Sequence, residues 1–277
     1  MKKILALLLA AALLCALFGC DAVGREPLRV AMSPDFAPME FVVTSESGAD
    51  QFAGFDVSLA EYLAKEMGRK LEIVPMSFDA CQNAVENGQV DMAISGFSWL
   101  PDRAERFNLS DTYHAGDLAA RQVLLTTAEN ADRYADAANL DGVRLGAQSA
   151  SLQEWLIVQQ LPDAVIVPFD DITQGIDRLR SGDFAAMAVA EGNADAIITA
   201  NPDLCKSGFY FELTDDLLDN LILLQKGSDE LTATVNTLLA QAKEAGYYEI
   251  WYAEALEMAG IGAEISYDDQ GNIATEG

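Results

Sequence analysis

The stretch AISGFSWLPDR, residues 93–103, carries the pattern from which we interpret the rest of the chain. It begins with small apolar residues that are typical of a buried strand, and Pro101 then marks the start of a helix. Gly96 and Ser98 lie between these two elements, and Arg103 lies just inside the helix. Because arginine is rarely buried without a partner, Arg103 is better explained by contact with an anionic group than by a place in the core.

The N-terminal residues have the pattern of a secretory signal. Lys2 and Lys3 precede an apolar run at residues 4–18, which is too short to span a membrane as a helix. The sequence LFGC at 17–20 resembles the lipobox of bacterial lipoproteins, which implies cleavage before Cys20 and attachment of acyl chains such as palmitate there. An ordinary signal peptide followed by an incidental cysteine is the alternative.

These features predict a signal peptide at residues 1–19 and a lipidated linker at residues 20–26. We expect an exported protein that is anchored by lipid to the outer face of the cell membrane, or is periplasmic.

The composition limits the partners of the chain, which has 277 residues and a net charge of −27. Such acidity argues against nucleic acid and against an anionic membrane surface as binding partners. A metal site is poorly supported, because His114 is the only histidine and no Cys-x-x-Cys pair occurs. We therefore expect neither a resident metal nor a cofactor.

From Pro27 onward, strand-like and helix-like segments alternate, which predicts an α/β fold. Residues 86–96 (ENGQVDMAISG) and 180–190 (RSGDFAAMAVA) match at an offset of 94 positions, each with a helix end, a glycine turn and a strand of small residues. Together with the chain length, this match predicts two similar lobes. Residues 263–277 are expected to form a polar C-terminal tail.

Four motifs together resemble the polar amino acid uptake proteins among the extracellular solute-binding proteins of family 3. The motifs are SPDFAPMEF (33–41), GFDVSLAEYLAKEMG (54–68), NGQVDMAISGFSWLPDRAERFNLSDTYH (87–114) and GAQSASLQE (146–154). The resemblance covers residues 28–260, and it implies a two-lobed α/β fold of the type II periplasmic-binding-protein-like kind, with two hinge-crossing strands.

The resemblance also implies how the chain divides. Lobe one would comprise residues 27–121 plus 223–262, and lobe two residues 122–222. Cys81 and Cys205 could form a disulfide in an exported protein, but they would then lie in different lobes, so we do not expect them to pair.

A ligand site in the cleft follows from the same resemblance. Arg103 matches the arginine that binds the ligand's α-carboxylate in the family, where a guanidinium supplies two parallel hydrogen bonds. Gly96 would let the backbone approach the ligand, and Ser98 would add a hydroxyl donor. In lobe two, Ser151 matches a hydroxyl position, and Leu152 would offer its N–H at a helix start. The alternatives are a structurally paired Arg103 and a Ser151 that only caps the helix.

Other matches concern the rest of the ligand. Phe36 and Phe78 match aromatic positions that enclose the ligand side chain in relatives, with a place in the core as the alternative for each. Gln148 lies where relatives vary with their side-chain preference. Relatives usually carry an acid at the position of Ala190 to bind the α-ammonium group, and here Glu191 follows instead. Glu191 could take that role, the amine could be bound differently, or the ligand could lack an α-amine.

The function implied is that of a monomeric, non-enzymatic binding protein. It would capture an amino acid or related small carboxylate by hinge closure and deliver it to the permease of an ABC importer. One alternative is an exported dehydratase on the same fold, which would need an acid and a base such as Glu191 or His114 in the cleft. The other is a ligand sensor for a membrane receptor.

Overall fold

The computed structural model describes residues 26–43, 47–113 and 121–260. The predicted signal peptide, Cys20, His114 and the predicted tail lie outside these residues. Within the described ranges, the strands and helices alternate as the sequence predicts. The strands are β1 (Leu28–Met32), β2 (Asp35–Phe36), β3 (Glu40–Val42), β4 (Phe52–Ala53), β5 (Leu71–Pro75), β6 (Met92–Ser98), β7 (Phe107–Leu109), β8 (Gln122–Thr127), β9 (Arg144–Gln148), β10 (Val165–Phe169), β11 (Ala186–Ala190), β12 (Leu204–Tyr210) and β13 (Asn220–Gln225). The α-helices are α1 (Phe55–Glu66), α2 (Phe78–Glu86), α3 (Pro101–Arg106), α4 (Leu152–Gln160), α5 (Ile172–Arg180), α6 (Glu191–Ala200), α7 (Asp229–Glu244) and α8 (Tyr247–Met258).

Two five-stranded sheets share one topology. The first has the order β5-β1-β6-β13-β7, and the second has the order β10-β9-β11-β8-β12. In each sheet the first three strands run parallel, and the fourth is antiparallel to the third. The first residues of β6 and β11, Met92 and Ala186, are 94 positions apart, as in the repeat seen in the sequence. We call the half built on the first sheet lobe one and the half built on the second sheet lobe two. The expected two-lobed α/β fold is confirmed.

The chain returns from lobe two to lobe one through strand β13. Strand β13 comes after all of lobe two but pairs with β6 and β7 in the sheet of lobe one. The C-terminal helices α7 and α8 then complete the core of lobe one, where Tyr248 packs edge-on against Phe55 of α1 with ring centroids 5.6 Å apart. Cys81 of α2 lies in lobe one and Cys205 of β12 lies in lobe two, and neither forms a disulfide in the structure.

The strand directions determine where a ligand can bind. In open α/β sheets, ligands lie at the carboxyl ends of the parallel strands. Strands β6, β9 and β11 end in Ser98, Gln148 and Ala190, which line a cavity between the two lobes. Among the described residues, no helix is long and apolar enough to cross a bilayer.

Candidate functional site

A cavity lies between the two lobes and receives side chains from both. Lobe one contributes Asp35, Phe36, Met39, Phe78, Ser95, Gly96, Ser98, Arg103 and Asn220. Lobe two contributes Gln122, Gln148, Leu152, Gln153, Ile172, Ala188, Val189, Ala190 and Asn193. Of the predicted ligand residues, seven line this cavity: Phe36, Phe78, Gly96, Ser98, Arg103, Gln148 and Leu152.

The lobes are closed on each other, because hydrogen bonds cross the cleft. Arg103 Nη2 donates to the carbonyl of Ala150 at 2.7 Å, and Gln82 Nε2 donates to the same oxygen at 3.2 Å. On the other side of the cleft, the carboxylate of Asp35 accepts from the N–H of Ile172 at 2.7 Å. The cavity is thus the space that remains when lobe one and lobe two meet.

Arg103 is fully buried at the wall of the cavity, with 0% of its surface exposed. Its guanidinium donates to neutral oxygens: the carbonyl of Ser98 at 2.6 Å, the carbonyl of Ala150 at 2.7 Å and Oε1 of Gln82 at 3.4 Å. Among the described residues, no carboxylate is within ion-pair distance of it. Burial lowers the pKa of Arg103 to about 10, so the group stays charged at neutral pH. A buried cation that lacks a counter-ion is costly, and an anionic ligand group would supply one.

Two aromatic rings fix the guanidinium from lobe one. The rings of Phe78 and Phe97 are stacked, with centroids 4.5 Å apart, and the Arg103 guanidinium carbon lies 5.5 and 5.2 Å from them. These distances allow cation–π attraction, which is stronger away from water. Phe78 therefore holds the arginine as well as lining the cavity.

On the side of lobe two, the turn before α4 presents the carbonyl that Arg103 contacts. Ala150 is in the left-handed region, with a φ of 60°, which is uncommon for a residue with a side chain. Ser151 accepts a hydrogen bond from the N–H of Glu154, and the Glu154 carboxylate accepts from the N–H of Ala150. Ser151 is thus the cap of α4, and it is not among the residues that line the cavity. Its contact with a ligand stays a prediction.

Gly96 makes room for Phe36. Its φ is +59°, and a Cβ at this position would lie 2.8 Å from the Phe36 ring. Only glycine can both adopt this backbone geometry without strain and admit the ring. The N–H of Gly96 donates to the carboxylate of Asp56 at 2.8 Å.

Asp56 and Glu40 are two buried carboxyl groups behind the cavity wall. Burial raises the pKa of Asp56 to about 7 and the pKa of Glu40 well above its ordinary range. Glu40 accepts a short hydrogen bond from Ser95, whose Oγ also accepts from the N–H of Ser33. The pair therefore holds the ends of β1 and β6 in place and does not itself line the cavity.

Glu191 does not line the cavity either. It is 2% exposed, and its carboxylate pairs with Arg121 at 2.5 Å and with Lys206 at 2.9 Å. Glu191 is the first residue of α6, and its side chain points toward Arg121 and Lys206. Ala190, the residue before it, lines the cavity. An ammonium site at Glu191 would have to compete with two cations that already hold it.

Among the lining residues that were not anticipated from the sequence, Asp35 and Asn193 carry polar groups that bear on ligand binding. Asp35 is the only carboxylate among the described lining residues, and Asn193 is 3% exposed with an Oδ1 that has no hydrogen-bond partner there. Asn193 Nδ2 donates to the Ala37 carbonyl across the cleft at 3.3 Å. Neither residue belongs to a periodic pattern. The only sequence signal for Asp35 is its position directly before Phe36, which was predicted to contact the ligand.

Comparisons with known proteins agree with this geometry. The model of the bacterial extracellular solute-binding proteins of family 3 matches residues 28–256. The arginine-binding extracellular protein of Bacillus subtilis is 28% identical over 258 residues, which cover 90% of this chain and 96% of that protein. A putative ABC transporter arginine-binding protein of Escherichia coli is 25% identical over 253 residues, which cover 91% of this chain and 98% of that protein.

A solved structure shows the same fold. It is an amino acid ABC transporter substrate-binding protein of Streptococcus pneumoniae with bound L-arginine, and it aligns with a TM-score of 0.76 and 31% identity. The alignment covers 86% of this chain and 97% of that protein.

Proposed function

We propose that this chain, which belongs to the bacterial extracellular solute-binding proteins of family 3, captures an amino acid between its lobes for an ABC importer. The observation that carries this proposal is Arg103, a fully buried cation at the cavity wall whose described partners are all neutral. The α-carboxylate of an amino acid has the charge and the planar shape to pair with it.

Closure of the lobes gives the mechanism. The cavity takes residues from both lobes, so a ligand that contacts both stabilises the closed form over the open one. The α-carboxylate would bind Arg103, with Ser98 and the backbone of Gly96 beside it, and Phe36 would cover the ligand from lobe one. From lobe two, Gln148 and Leu152 would complete the enclosure, and the buried, unpartnered Oδ1 of Asn193 offers an acceptor for an N–H group.

The test of this function is a thermal-shift screen of residues 21–277, which omit the predicted lipidation site Cys20, against the L-amino acids. A ligand that binds only the folded state raises the Tm, by an amount that grows with its concentration over Kd. Arginine is the first candidate, since two relatives and the Streptococcus pneumoniae protein are described as binding it. No shift with any amino acid would contradict the proposal.

The dehydratase alternative is less well supported by the cavity. Glu191, one of the two groups named for acid–base work, is held by Arg121 and Lys206 and lies outside the lining. Incubation with a prephenate-like acid should therefore yield no product. A sensor role is separated from transport by deletion of the gene, which should abolish uptake of the ligand.

Lipid anchoring and a monomeric state belong to the same proposal. The LFGC sequence at residues 17–20 supports acylation of Cys20, which mass spectrometry of the membrane fraction would detect as an added acyl mass. The Cys20→Ala variant should then be released from membranes. Light scattering of the exported chain should give the mass of one chain with and without ligand.

Phe36→Ala is expected to weaken amino acid binding modestly. The ring lines the cavity beside Gly96, so its removal exposes apolar ligand surface to water at a cost of about 1–3 kcal/mol. Titration calorimetry measures the change in Kd, and Phe52→Ala, which removes a ring of the same small sheet outside the cavity, is the control. Equal affinity in wild type and Phe36→Ala would assign the ring to the core alone.

A further inference from the structure

Asp35 is a half-buried carboxylate with no cation paired to it among the described residues. It lies at the cavity wall in lobe one, and among the described residues no lysine, arginine or histidine forms an ion pair with it. The ionisable groups that act on it or are acted on by it are Asp171, Glu40 and Cys81, which add no positive charge. A charge in this situation is costly unless a bound partner compensates it.

The hydrogen bonds of Asp35 compensate its charge only in part. Oδ2 accepts from the N–H of Ile172, the first residue of α5, at 2.7 Å and from Nε2 of Gln148 at 3.2 Å, and Oδ1 accepts from Ser33 at 2.9 Å. The helix start favours a negative charge, but all of these donors are neutral. Burial outweighs them and raises the pKa of Asp35 to about 6.

These contacts also make Asp35 sensitive to closure. Asp35 belongs to lobe one, whereas Ile172 and Gln148 belong to lobe two, so both contacts exist only when the lobes meet. Closing the cleft takes the carboxylate out of water, and that desolvation opposes closure. A cationic group on the ligand would offset it.

The other carboxylates near the cleft are not available for such a group. Glu191 is paired with Arg121 and Lys206, and Glu40 and Asp56 lie behind the cavity lining. Strand β11 ends in Ala190, which is uncharged. Among the described residues, the cavity wall thus carries one buried cation, Arg103, and one half-buried anion, Asp35.

We propose that Asp35 receives a cationic group of the ligand, an ammonium or a guanidinium, so that closure of the cleft responds to ligand charge. The proposal rests on the proposed function, because it assumes that an amino acid occupies the cavity. The two opposite charges at the wall match a ligand that carries a carboxylate and a cation. The ligand's cation would supply the counter-ion that Asp35 lacks within the protein.

Asp35→Asn tests the proposal with three ligands. L-arginine carries both an α-ammonium and a guanidinium, L-citrulline lacks the side-chain charge, and des-amino arginine lacks the α-amine. Asparagine keeps the size of the side chain and one acceptor for the Ile172 N–H, so the variant removes mainly the charge. We expect titration calorimetry to show arginine binding weakened by about 10- to 100-fold.

The two analogues identify which cation Asp35 meets. A loss with arginine and des-amino arginine but not with citrulline places the guanidinium at Asp35. A loss with arginine and citrulline but not with des-amino arginine places the α-ammonium there. An equal loss with all three ligands, or no loss with any, would overturn the proposal, because Asp35 would then be only a contact between the lobes.

Asp171→Asn is the matched control. Asp171 is a nearby acid that raises the pKa of Asp35 by its charge, but it is outside the cavity lining. It caps α5 by accepting from the N–H of Gln174, and asparagine caps equally well, so the Kd should change less than about twofold. If wild type bound another amino acid in the screen and Asp35→Asn left its Kd unchanged, the cation at Asp35 would be contradicted while the proposed function stood.

The pH dependence of wild type gives a second test that needs no variant. The ordinary pKa of an aspartate is 3.8, and the closed cleft raises that of Asp35 to about 6. A ligand that offers Asp35 no cation should therefore bind about tenfold more tightly at pH 5 than at pH 7.5, because closure takes up a proton. Arginine should show no such gain, because its cation restores a low pKa in the complex.

The same comparison of binding at pH 5 and pH 7.5, made with Asp35→Asn, separates the contribution of Asp35 from those of other groups that ionise between these pH values. Asp56 has a pKa of about 7 but is part of lobe one behind the wall, so its contribution remains in the variant. The tenfold gain at pH 5 should disappear in Asp35→Asn for the analogue that offers Asp35 no cation. Equal pH dependence for arginine and for both analogues in wild type would overturn the proposal.

Discussion

Replacement of Arg103 by methionine is expected to weaken amino acid binding by about 2–5 kcal/mol, which is a loss of roughly 30-fold or more. Arg103 is fully buried, and the ligand carboxylate that we place against it would be left in the closed cavity without a counter-ion. Methionine keeps a long apolar side chain against Phe78 and Phe97, so the loss should come from the charge and its hydrogen bonds. Titration calorimetry with the amino acid found in the screen measures the effect.

Two further variants show whether the geometry of Arg103 matters. Arg103→Lys keeps the positive charge but not the planar pair of donors, so it should recover only part of the affinity. Arg106→Met, on the same helix, removes an arginine that pairs with Glu86 and is outside the cavity lining, and it should leave the Kd within about twofold. Wild-type affinity in Arg103→Met would remove the carboxylate clamp from the mechanism.

Gly54→Ala is expected to lower the free energy of unfolding by about 3–5 kcal/mol. The φ of Gly54 is +123°, and a Cβ there would lie 2.2 Å from the carbonyl oxygen of Met39 and 2.8 Å from that of Pro38. These are backbone atoms that accept hydrogen bonds from Phe55 and Asp56 at the start of α1, so the loop cannot move without breaking them. Urea unfolding followed by circular dichroism measures the change.

Gly142→Ala separates the close contact from the backbone strain. Its φ is +68°, but nothing lies within 4 Å of its Cβ position, so only the cost of a left-handed alanine, about 1–2 kcal/mol, should appear. If the two variants lost equal stability, the close contact of α1 with residues 38–39 would not be the cause. The contact matters for binding because the same loop carries Phe36 and leads to Glu40.

Most elements of both sheets could be predicted from the sequence because each follows a local rule, whereas the edge strands β7 and β12 were not predicted. Alternating apolar runs and glycine stops marked the strands and helices, and the 94-residue repeat marked β6 and β11 as equivalent strands. The motif around Arg103 led to an arginine that the fold buries at the cavity wall. The small sheet of β2, β3 and β4 was not foreseen, because its strands are only two or three residues long.

Glu191 shows the limit of predictions that rest on local sequence patterns. Glu191 looked like the substitute for an acid missing at Ala190, because it is the next residue along the chain. Its side chain instead meets Arg121, at the start of the hinge strand β8, and Lys206 on β12, and neither contact leaves a pattern in the sequence.

The amino acid sequence by itself determined the α/β elements, the repeat that makes two lobes, and an arginine in position for an anion. These depend on side-chain periodicity, turn residues and motif spacing, all of which act over a few residues. Only the tertiary structure decided that Asp35 faces the cavity and that Glu191 does not. Asp35 accepts a hydrogen bond from Ile172, which is 137 positions away, and the partial burial of its carboxylate depends on the contact between the two lobes.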